Sequence, residues 1–487
     1  MNPVALLLPV LIPVVGGLMI IFIGFKSDFA RAVYCEAVAL AATASVWLCI
    51  LGLRGKMLPV ISYASGFSVI LSVDGLGALF AGMISLMWPL VLVYAFSYMR
   101  EAERKNRFFA FFVMTYGVTV GIAFAANMTT MYVFYEMLTL VTIPLVTHYG
   151  DHDSMFAGRK YAAYTIGGAA LAFFTAVLTT LSGGGVFHYG GSIGGNYDAS
   201  LLRLAFLFGF IGFGTKAAVF PVHDWLPTAS VAPTPVTALL HAVAVVNAGV
   251  FCLMRVCYYV YGPDLLKGTA EQKICLALSI VSLLAGAVMA IRERHIKRRM
   301  AFSTMSNLSY MLFGIMLLSP AGLAAGASHM VFHGLTKMTL FMCAGAFMHV
   351  TGKSNIYEIN GAGRKMPVTF ICYTLGACSL TGFPLFACFI SKWQLLTAGA
   401  MDGTPLGIAG CGALIAAAFL CAIYTLTISF RAFFSGKAMD RFAGSALGDA
   451  DLCMLIPIAV FTASMVILGV RPGWIMSLIN SIAGGAL

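Results

Sequence analysis

Charged residues are scarce in this sequence. Asp, Glu, Lys and Arg make up only 10% of the 487 residues, whereas hydrophobic residues make up 60%. The mean hydropathy is +0.93. Soluble globular domains contain about 25% charged residues. This deficit excludes a soluble enzyme and predicts an all-α polytopic membrane protein.

Metal and cofactor motifs are also lacking. The twelve cysteines lie almost entirely in apolar stretches, and none forms a CxxC pair. We expect them to pack as small hydrophobic residues between helices. No Cys/His cluster has the spacing of a zinc or iron–sulfur site, and no glycine-rich nucleotide motif follows a strand, since no strand is evident. We therefore expect neither a cofactor nor a metal.

The apolar stretches are long enough for about fourteen membrane spans, at about 20 residues each. The N-terminal stretch from Asn2 to Gly24 is interpreted as the first span and not as a removed signal peptide, because it lacks a basic leader. The predicted spans are 3–24, 32–53, 75–99, 108–126, 128–148, 160–182, 202–226, 233–261, 272–291, 299–318, 322–350, 367–398, 406–434 and 452–475.

The basic residues are distributed unevenly between the two sets of loops. In a soluble protein a net charge of +11 would suggest nucleic acid, but here 19 of the 29 Lys and Arg residues fall in loops on one side and six on the other. Cytoplasmic loops carry such an excess. We therefore expect a prokaryotic cytoplasmic membrane, both termini outside, and no nucleic-acid partner.

One lysine stands in an apolar stretch beside prolines. Lys216 precedes Pro221 and Pro227. A charged amine inside a membrane is costly and marks a functional site by default. A broken helix is tolerated there only against protein or water. The combination predicts a hydrated cavity inside the membrane.

The second half carries a similar arrangement. Lys392 follows an apolar run interrupted by Gly382 and Pro384. Paired broken helices in two halves of a chain indicate transport sites near the membrane midplane. A desolvated lysine can hold and release a proton near neutral pH. The alternative is that each lysine only neutralises the carbonyl end of a broken helix.

Glu136 is interpreted as the only carboxylate well inside a predicted span. A nearby ammonium stabilises a buried carboxylate, so a pair of Glu136 with Lys216 is a plausible proton switch. The alternative is a glutamate that reaches toward the interface or fixes helices by a hydrogen bond.

Three titratable residues share one helix face. His329, His333 and Lys337 are spaced by four residues, and each step advances a helix by about 400° and about 6 Å. Such a stripe suits a proton wire, and His241 in its own span is a candidate relay. The alternatives are satisfied core histidines or a metal site, although HEXXH and a third ligand are absent.

Five motifs resemble the antiporter-like subunits of respiratory complex I, of Mrp cation/proton antiporters (D-type) and of energy-converting membrane-bound hydrogenases. The motifs are FGTKAAVFPVHDWLPTASVAPTPVTALLHAVAVVNAGVFCLMR, YVFYEMLTLVTIPLV, HMVFHGLTKMTLFMCAGA, GFPLFACFISKWQL and IKRRMAFSTMSNLSY. The resemblance covers about residues 70–435. It differs at His295, where an acidic residue usually precedes the basic run.

The resemblance implies a fold of two inverted five-helix repeats with broken helices. The implied segments are 1–107, an N-terminal three-helix segment; 108–261 and 272–434, the two repeats; and 452–487, a C-terminal span. It also implies a proton relay of Glu136, Lys216, His241, His329, His333, Lys337 and Lys392.

The implied function is ion translocation, either proton pumping or Na⁺/H⁺ antiport, within a complex of membrane subunits. Redox catalysis by the chain itself is not expected, since no redox group is indicated. Two alternatives remain open: a stand-alone secondary transporter of a small solute, and a structural membrane-arm subunit.

Overall fold

The computed structural model describes residues 2–64, 67–195, 197–436, 441–442 and 447–486. Met1 and Leu487, at the outer ends of the predicted segments, lie outside the described residues. The described chain is mostly helical. Its first seven α-helices are α1 (Leu8–Ile23), α2 (Asp28–Gly52), α3 (Gly75–Tyr98), α4 (Lys105–Ala123), α5 (Met128–Val146), α6 (His152–Leu181) and α7 (Ala199–Lys216).

Four short helices lead into the second half. They are α8 (Trp225–Thr228), α9 (Thr234–Ala242), α10 (Val245–Arg255) and α11 (Pro263–Leu266). The remaining helices are α12 (Ala270–Arg292), α13 (Ile296–Met316), α14 (Pro320–Thr351), α15 (Ala362–Lys365), α16 (Pro367–Thr381), α17 (Ala387–Asp402), α18 (Pro405–Phe434), α19 (Leu452–Val470) and α20 (Gly473–Ala483).

Twelve of the fourteen predicted spans have a counterpart that is long and apolar enough to cross a membrane, within the described residues. For the other two predicted spans, 299–318 and 367–398, no described helix is both long and apolar enough to cross a membrane. Helix α13 begins with a basic turn, and 367–398 divides into α16 and α17. The protein is therefore an integral membrane protein, while the count of fourteen spans stays a prediction.

A two-stranded antiparallel sheet corrects the expectation that the chain contains no strand. Strands β1 (Met57–Ala64) and β2 (Phe67–Ser72) lie between α2 and α3. β2 is held against the end of α4, where Ser72 N donates to Phe124 O at 2.9 Å. Valine and isoleucine side chains in both strands favour extended backbone. In a chain so rich in apolar residues, this short run did not stand out.

The C-terminal span also differs from the prediction. The span predicted over 452–475 ends at Val470, and a separate helix, α20, follows Pro472. Proline cannot donate the backbone hydrogen bond that would continue α19. The segment 452–487 therefore contains two helices, where a single span was predicted.

The centre of the bundle is formed by two elements that are buried along their whole apolar length. These are the stretch Thr234–Val260, which contains α9 and α10, and helix α14. A helix that is apolar all round belongs in a core. The polar side chains on these two elements therefore face protein and not lipid.

The first break lies where the prolines predict it. Helix α7 ends at Lys216, and residues 217–224, which include Pro221, separate it from α8. Pro227 lies inside α8 and not in the non-helical segment. The end of α7 is capped by a side chain, since Trp225 Nε1 donates to Thr215 O at 2.8 Å.

The second break follows Thr381. Helix α16 ends there, with Gly382 in the left-handed region at φ 100°, and α17 begins at Ala387. Pro384 lies in the short connection. Both breaks thus place a lysine near interrupted helix ends, Lys216 before its break and Lys392 after its own.

A third break was not predicted. The span that contains His241 is interrupted at Val243 and Ala244, directly after the turn that carries the histidine. Asn247 Nδ2 donates to the freed Ala242 O at 2.7 Å. No proline or glycine stands at this point of the sequence, so there is no local signal for the interruption.

Candidate functional site

Lys216 is fully buried at the end of α7. Its ammonium donates to the backbone oxygen of Tyr135 in α5 and lies 3.6 Å from the centroid of the Tyr135 ring. Tyr135 OH in turn donates to Gly212 O of α7 at 3.1 Å. These reciprocal contacts fix the lysine against α5.

Glu136 follows Tyr135 in α5 and is half-buried. The ion pairs among the described residues do not include one between Glu136 and Lys216. The two charges are nevertheless close enough to interact. Glu136 Oε1 is buried without a hydrogen-bond partner in the described part of the chain. Glu136 and Lys216 are therefore neighbouring charges that do not form an ion pair. Lys216 binds the backbone oxygen of Tyr135, and Glu136 is the next residue in the chain.

His241 lies in the last turn of α9, directly before the unpredicted break. Its ring is fully buried, and neither ring nitrogen has a hydrogen-bond partner among residues with described positions. It packs against Phe341 of α14, with 5.0 Å between ring centroids. Within the described residues, His241 thus lacks the hydrogen bonds that a satisfied core histidine would make.

Lys337 is buried on α14 and is bound by α13. Its Nζ donates to Ser303 Oγ at 2.7 Å and to Met300 O at 3.0 Å. The same ammonium lies 5.8 Å from the centroid of Phe341, the ring that His241 also contacts. Phe341 therefore neighbours both the first-half histidine and the central lysine.

The two histidines of the predicted stripe have different surroundings. His329 Nδ1 is 2.8 Å from Ser391 Oγ, and its Nε2 is 3.3 Å from Asn307 Oδ1. His333 has no hydrogen-bond partner within the described ranges, although its ring lies 5.8 Å from that of His329. His329 is a satisfied core residue by geometry, and His333 is not.

Lys392 lies in α17, next to Ser391, and is nearly buried. Its Nζ donates to Leu380 O at 2.6 Å and to Thr381 O at 3.3 Å, which are the last carbonyls of α16. The ammonium is 4.8 Å from the Tyr310 ring centroid, and Tyr310 packs on His329 at 5.5 Å. Lys392 also lines a cavity of about 320 Å³ between α16, α17 and α18.

All three predicted lysines therefore bind backbone carbonyls. A carbonyl dipole stabilises an ammonium less than a carboxylate does, and burial favours the neutral amine. Such a group can exchange a proton without first breaking an ion pair. Lys392 can stabilise the end of α16 and also exchange a proton. Its contacts are therefore compatible with both interpretations, the helix-end cation and the proton site.

A fourth buried lysine was missed in the sequence. Lys297, in the first turn of α13, is 5% exposed, and its Nζ donates to Ala232 O at 2.8 Å. We assigned it to a cytoplasmic loop because four arginines surround it between positions 292 and 299. Its position beside a membrane span was the only signal that could have revealed it.

An ion pair between buried Arg255 and half-buried Asp74 was also missed. Asp74 caps the start of α3 through Gly77 N at 2.9 Å, and it also binds Arg255 of α10, with 2.5 Å between Oδ1 and Nη2. Arg255 is fully buried under the rings of Phe187, Phe251 and Tyr259. This pair ties α3 to α10.

A polar cavity of about 690 Å³ lies beside α8 and the start of α13. We call it the polar cavity. Its ionisable side chains come from the end of α3, the segment before α8, and the residues around the starts of α6 and α13; they are Tyr98, Tyr149, Asp153, Asp224, Glu293, His295, Lys297 and Arg298. In the described chain, no three His, Cys, Asp or Glu side chains gather closely enough to hold a metal ion.

Comparison with known sequences gives two family matches. Residues 125–425 match the family described as NADH:quinone oxidoreductase/Mrp antiporter, TM. Residues 61–109 match the N-terminal family of NADH-ubiquinone oxidoreductase (complex I) chain 5. Together they cover the region in which the motifs were found.

Individual relatives include subunits of several complexes. The A-type subunit of the Na(+)/H(+) antiporter of Alkalihalophilus pseudofirmus is 30% identical over 84% of this chain and 53% of that protein. The NADH-quinone oxidoreductase subunit L of Mycobacterium tuberculosis is 31% identical over 75% of this chain and 58% of that protein. The chain thus spans about half the length of the curated relatives it matches.

Two solved structures share the fold over nearly the whole chain. A chain of the Mrp complex from Dietzia sp. DQ12-45-1b matches with a TM-score of 0.87 at 19% identity, covering 99% of this chain and 97% of its own. A chain of the archaeal membrane-bound sulfane sulfur reductase matches with a TM-score of 0.85 at 21% identity, covering 99% and 98%. Since the larger family match spans more than half of the sequence, the chain belongs to the NADH:quinone oxidoreductase/Mrp antiporter transmembrane family.

Proposed function

We propose that this chain is an ion-translocating subunit that moves protons, or exchanges them for sodium, along a row of buried ionisable side chains. The row runs through Glu136, Lys216, His241, Lys337, His333, His329 and Lys392. Segments 108–261 and 272–434 would act as two half-channels, joined where His241 and Lys337 both neighbour Phe341. The chain would lie in a prokaryotic cytoplasmic membrane with both termini outside.

One observation carries this proposal. Six of the seven side chains are buried within a bundle of apolar helices. Burying an ionisable group in a membrane costs several kcal/mol unless it is paired or solvated. Neither His241 nor His333 has a hydrogen-bond partner in the described structure. A purely structural network would be expected to satisfy its polar atoms.

The partners are proposed to be other membrane subunits of a complex I-like, hydrogenase-like or Mrp-like assembly. The relatives carry names of antiporter and oxidoreductase subunits, and the structural neighbours come from multisubunit complexes. No redox group is indicated by the sequence of this chain. The driving energy would then come from a partner subunit or from an ion gradient.

The proposal is tested on the complex that co-purifies with the tagged chain. The complex is reconstituted into liposomes containing a pH-sensitive dye, and either a sodium gradient or a potassium diffusion potential is imposed. We expect lumenal pH to change with wild-type complex and to stay constant with Lys216→Ala. A response to sodium alone identifies antiport. Lys273→Ala, an exposed lysine of α12, is the matched control and should transport at the wild-type rate.

Three results would reject the proposal. Transport by the purified chain without partners would identify a stand-alone transporter. A Lys216→Ala complex that is assembled and fully active would identify a structural subunit. A wild-type complex that moves neither ion under either gradient would remove the proposed function itself.

A further inference from the structure

Of the four buried lysines discussed above, Lys297 is the one that the proposed relay does not include. It lies in the first turn of α13, and its ammonium donates to Ala232 O, the carbonyl directly before Pro233. No carboxylate pairs with it among the ion pairs of the described residues. A buried ammonium without a carboxylate partner is held at considerable cost, which calls for an explanation.

Helix α13 connects Lys297 with the relay. The next contacts along the same helix are Met300 O and Ser303 Oγ, which bind Lys337, and then Asn307, which binds His329. Lys297 and Asn307 are ten residues apart, a rise of about 15 Å. Lys297 therefore stands at one end of a polar edge of α13 that binds Lys337 and His329 of the stripe.

His241 lies within the electrostatic reach of both lysines. The charges of Lys337 and Lys297 both act on its ring. Neither of its nitrogens has a protein partner in the described structure, so both are open to water or to a proton. His241 is thus the relay histidine that the charge of Lys297 reaches.

On its other side, Lys297 lines the polar cavity. Three carboxylates line that cavity with it: Asp153 at the start of α6, Asp224 before α8, and Glu293 before α13. Asp224 is bound by Lys160, and Glu293 lies 3.6 Å from Arg298 Nε. A volume of about 690 Å³ is ample for water. Lys297 thus lines the polar cavity and is itself buried near the relay.

We propose that Lys297 is the loading residue through which the relay exchanges protons with the polar cavity. This inference rests on the proposed function. Neutral Lys297 Nζ takes a proton from cavity water, and the resulting ammonium passes it to a ring nitrogen of His241. The histidine passes it on to Lys337, and Lys297 returns to the neutral amine. No bond other than N–H and O–H bonds forms or breaks.

The competing explanation is that Lys297 only caps Ala232 O. Arginine separates the two roles, because it keeps a donor for the carbonyl but is not deprotonated in proteins. Histidine at position 297 tests the proton-loading role, because it still titrates but does so at a lower pH than lysine. The charged and titratable groups that line the cavity with Lys297 are Tyr98, Tyr149, Asp153, Asp224, Glu293, His295 and Arg298, and on the relay side the charge of Lys297 reaches His241.

The experiment measures the rate of lumenal pH change against external pH for the reconstituted complex. We expect Lys297→Arg to assemble with unchanged thermal stability and to lose about a hundredfold or more of the rate, the scale of a lost proton-transfer group. Lys297→His should recover part of the rate, with its optimum at lower pH than the wild type. Lys273→Arg is the matched control and should keep both rate and optimum.

A chemical rescue guards against a folding defect. Lys297→Cys is made in a Cys453→Ser background, because Cys453 is the one exposed cysteine among the described residues. Adding an aminoethyl group to the introduced thiol through a disulfide restores an amine of lysine-like length. We expect this treatment, applied from the side of the polar cavity, to restore transport.

The inference is overturned if Lys297→Arg transports at the wild-type rate, if Lys297→His keeps the wild-type pH optimum, or if assembled, aminoethylated Lys297→Cys stays inactive. In each case a wild-type complex that transports, and a Lys216→Ala complex that does not, would leave the proposed function intact. A wild-type complex without transport would instead remove the proposed function, and this inference with it.

Discussion

At the scale of single residues, the buried lysines share one form of support. Lys216, Lys297, Lys337 and Lys392 each donate to a backbone carbonyl of a neighbouring element. Such a contact locates the amine without fixing its charge, because a neutral amine keeps two N–H donors and can still bind the carbonyl. A carboxylate partner would instead strongly favour the charged form. Carbonyl support therefore suits a lysine that changes charge during its cycle.

The two histidines of α14 are expected to respond differently to substitution. Replacing His329 by Leu leaves Asn307 Oδ1 without a partner, whereas Ser391 Oγ keeps its bond to Cys388 O, so the expected cost is about 1–3 kcal/mol. Replacing His333 by Leu removes two ring nitrogens that have no partner in the described structure, so stability should be kept or raised. Both variants should lose transport.

Thermal unfolding of the two purified variants, followed beside reconstituted transport, checks this difference. His333→Leu with a lower midpoint than His329→Leu would show that His333 makes a stabilising contact. His333→Leu with full transport would remove it from the relay.

At the scale of elements, the breaks depend on backbone that few residues adopt. Gly382 has φ 100°, and a Cβ there would meet Lys392 Cδ at 3.2 Å. Gly382→Ala should therefore cost about 1–2 kcal/mol in backbone strain and displace the Lys392 side chain from its carbonyls. We expect a lower unfolding midpoint together with reduced transport.

Gly403 provides the control for that substitution. It ends α17 at φ 66°, and a Cβ there would meet nothing within 4 Å. Gly403→Ala should carry a similar strain but leave transport per assembled complex unchanged. Equal transport losses in the two variants would indicate that strain alone, and not the position of Lys392, limits the rate.

The loops beside the spans should make stability depend on pH. Burial lowers the pKa of His148 and of His295 to about 4, helped by the charges of Arg107 and Lys297 respectively. In the unfolded chain a histidine takes up a proton near pH 6.5. Between about pH 6.5 and about pH 4 the unfolded state thus binds more protons, so stability falls as the pH falls through this window and levels off below it.

Replacing His148 and His295 by glutamine should reduce the loss of stability between about pH 6.5 and about pH 4. The measurement is the unfolding midpoint of the purified complex from about pH 7 down to about pH 4. His152→Gln, on a side chain that is 88% exposed, should leave the profile unchanged. A double variant whose midpoint falls as steeply as that of the wild type would contradict the assignment.

At the scale of the whole molecule, the sequence predicted the structure best at positions where a residue type is unusual for an apolar membrane span. Lysines in apolar runs located Lys216, Lys337 and Lys392, and proline or glycine located two breaks. Each of these signals is local, because membrane burial penalises charge and free backbone at the position itself.

The features that were missed depend on tertiary contacts. Asp74 and Arg255 are 181 residues apart, and nothing in either local sequence indicates the other. The break after His241 has no proline or glycine to mark it. Lys297 was hidden because its basic neighbours made it resemble a loop residue, although α13 carries it into the protein interior.

The two halves are proposed to act as one path, joined at Lys337. The most direct measurement is proton movement into liposomes by the complex carrying Lys337→Met, which keeps a similar side-chain length and removes the titrating group. We predict an assembled complex with no net proton translocation in response to either imposed gradient. An assembled Lys337→Met complex that moves protons at the wild-type rate would contradict a single path through both halves.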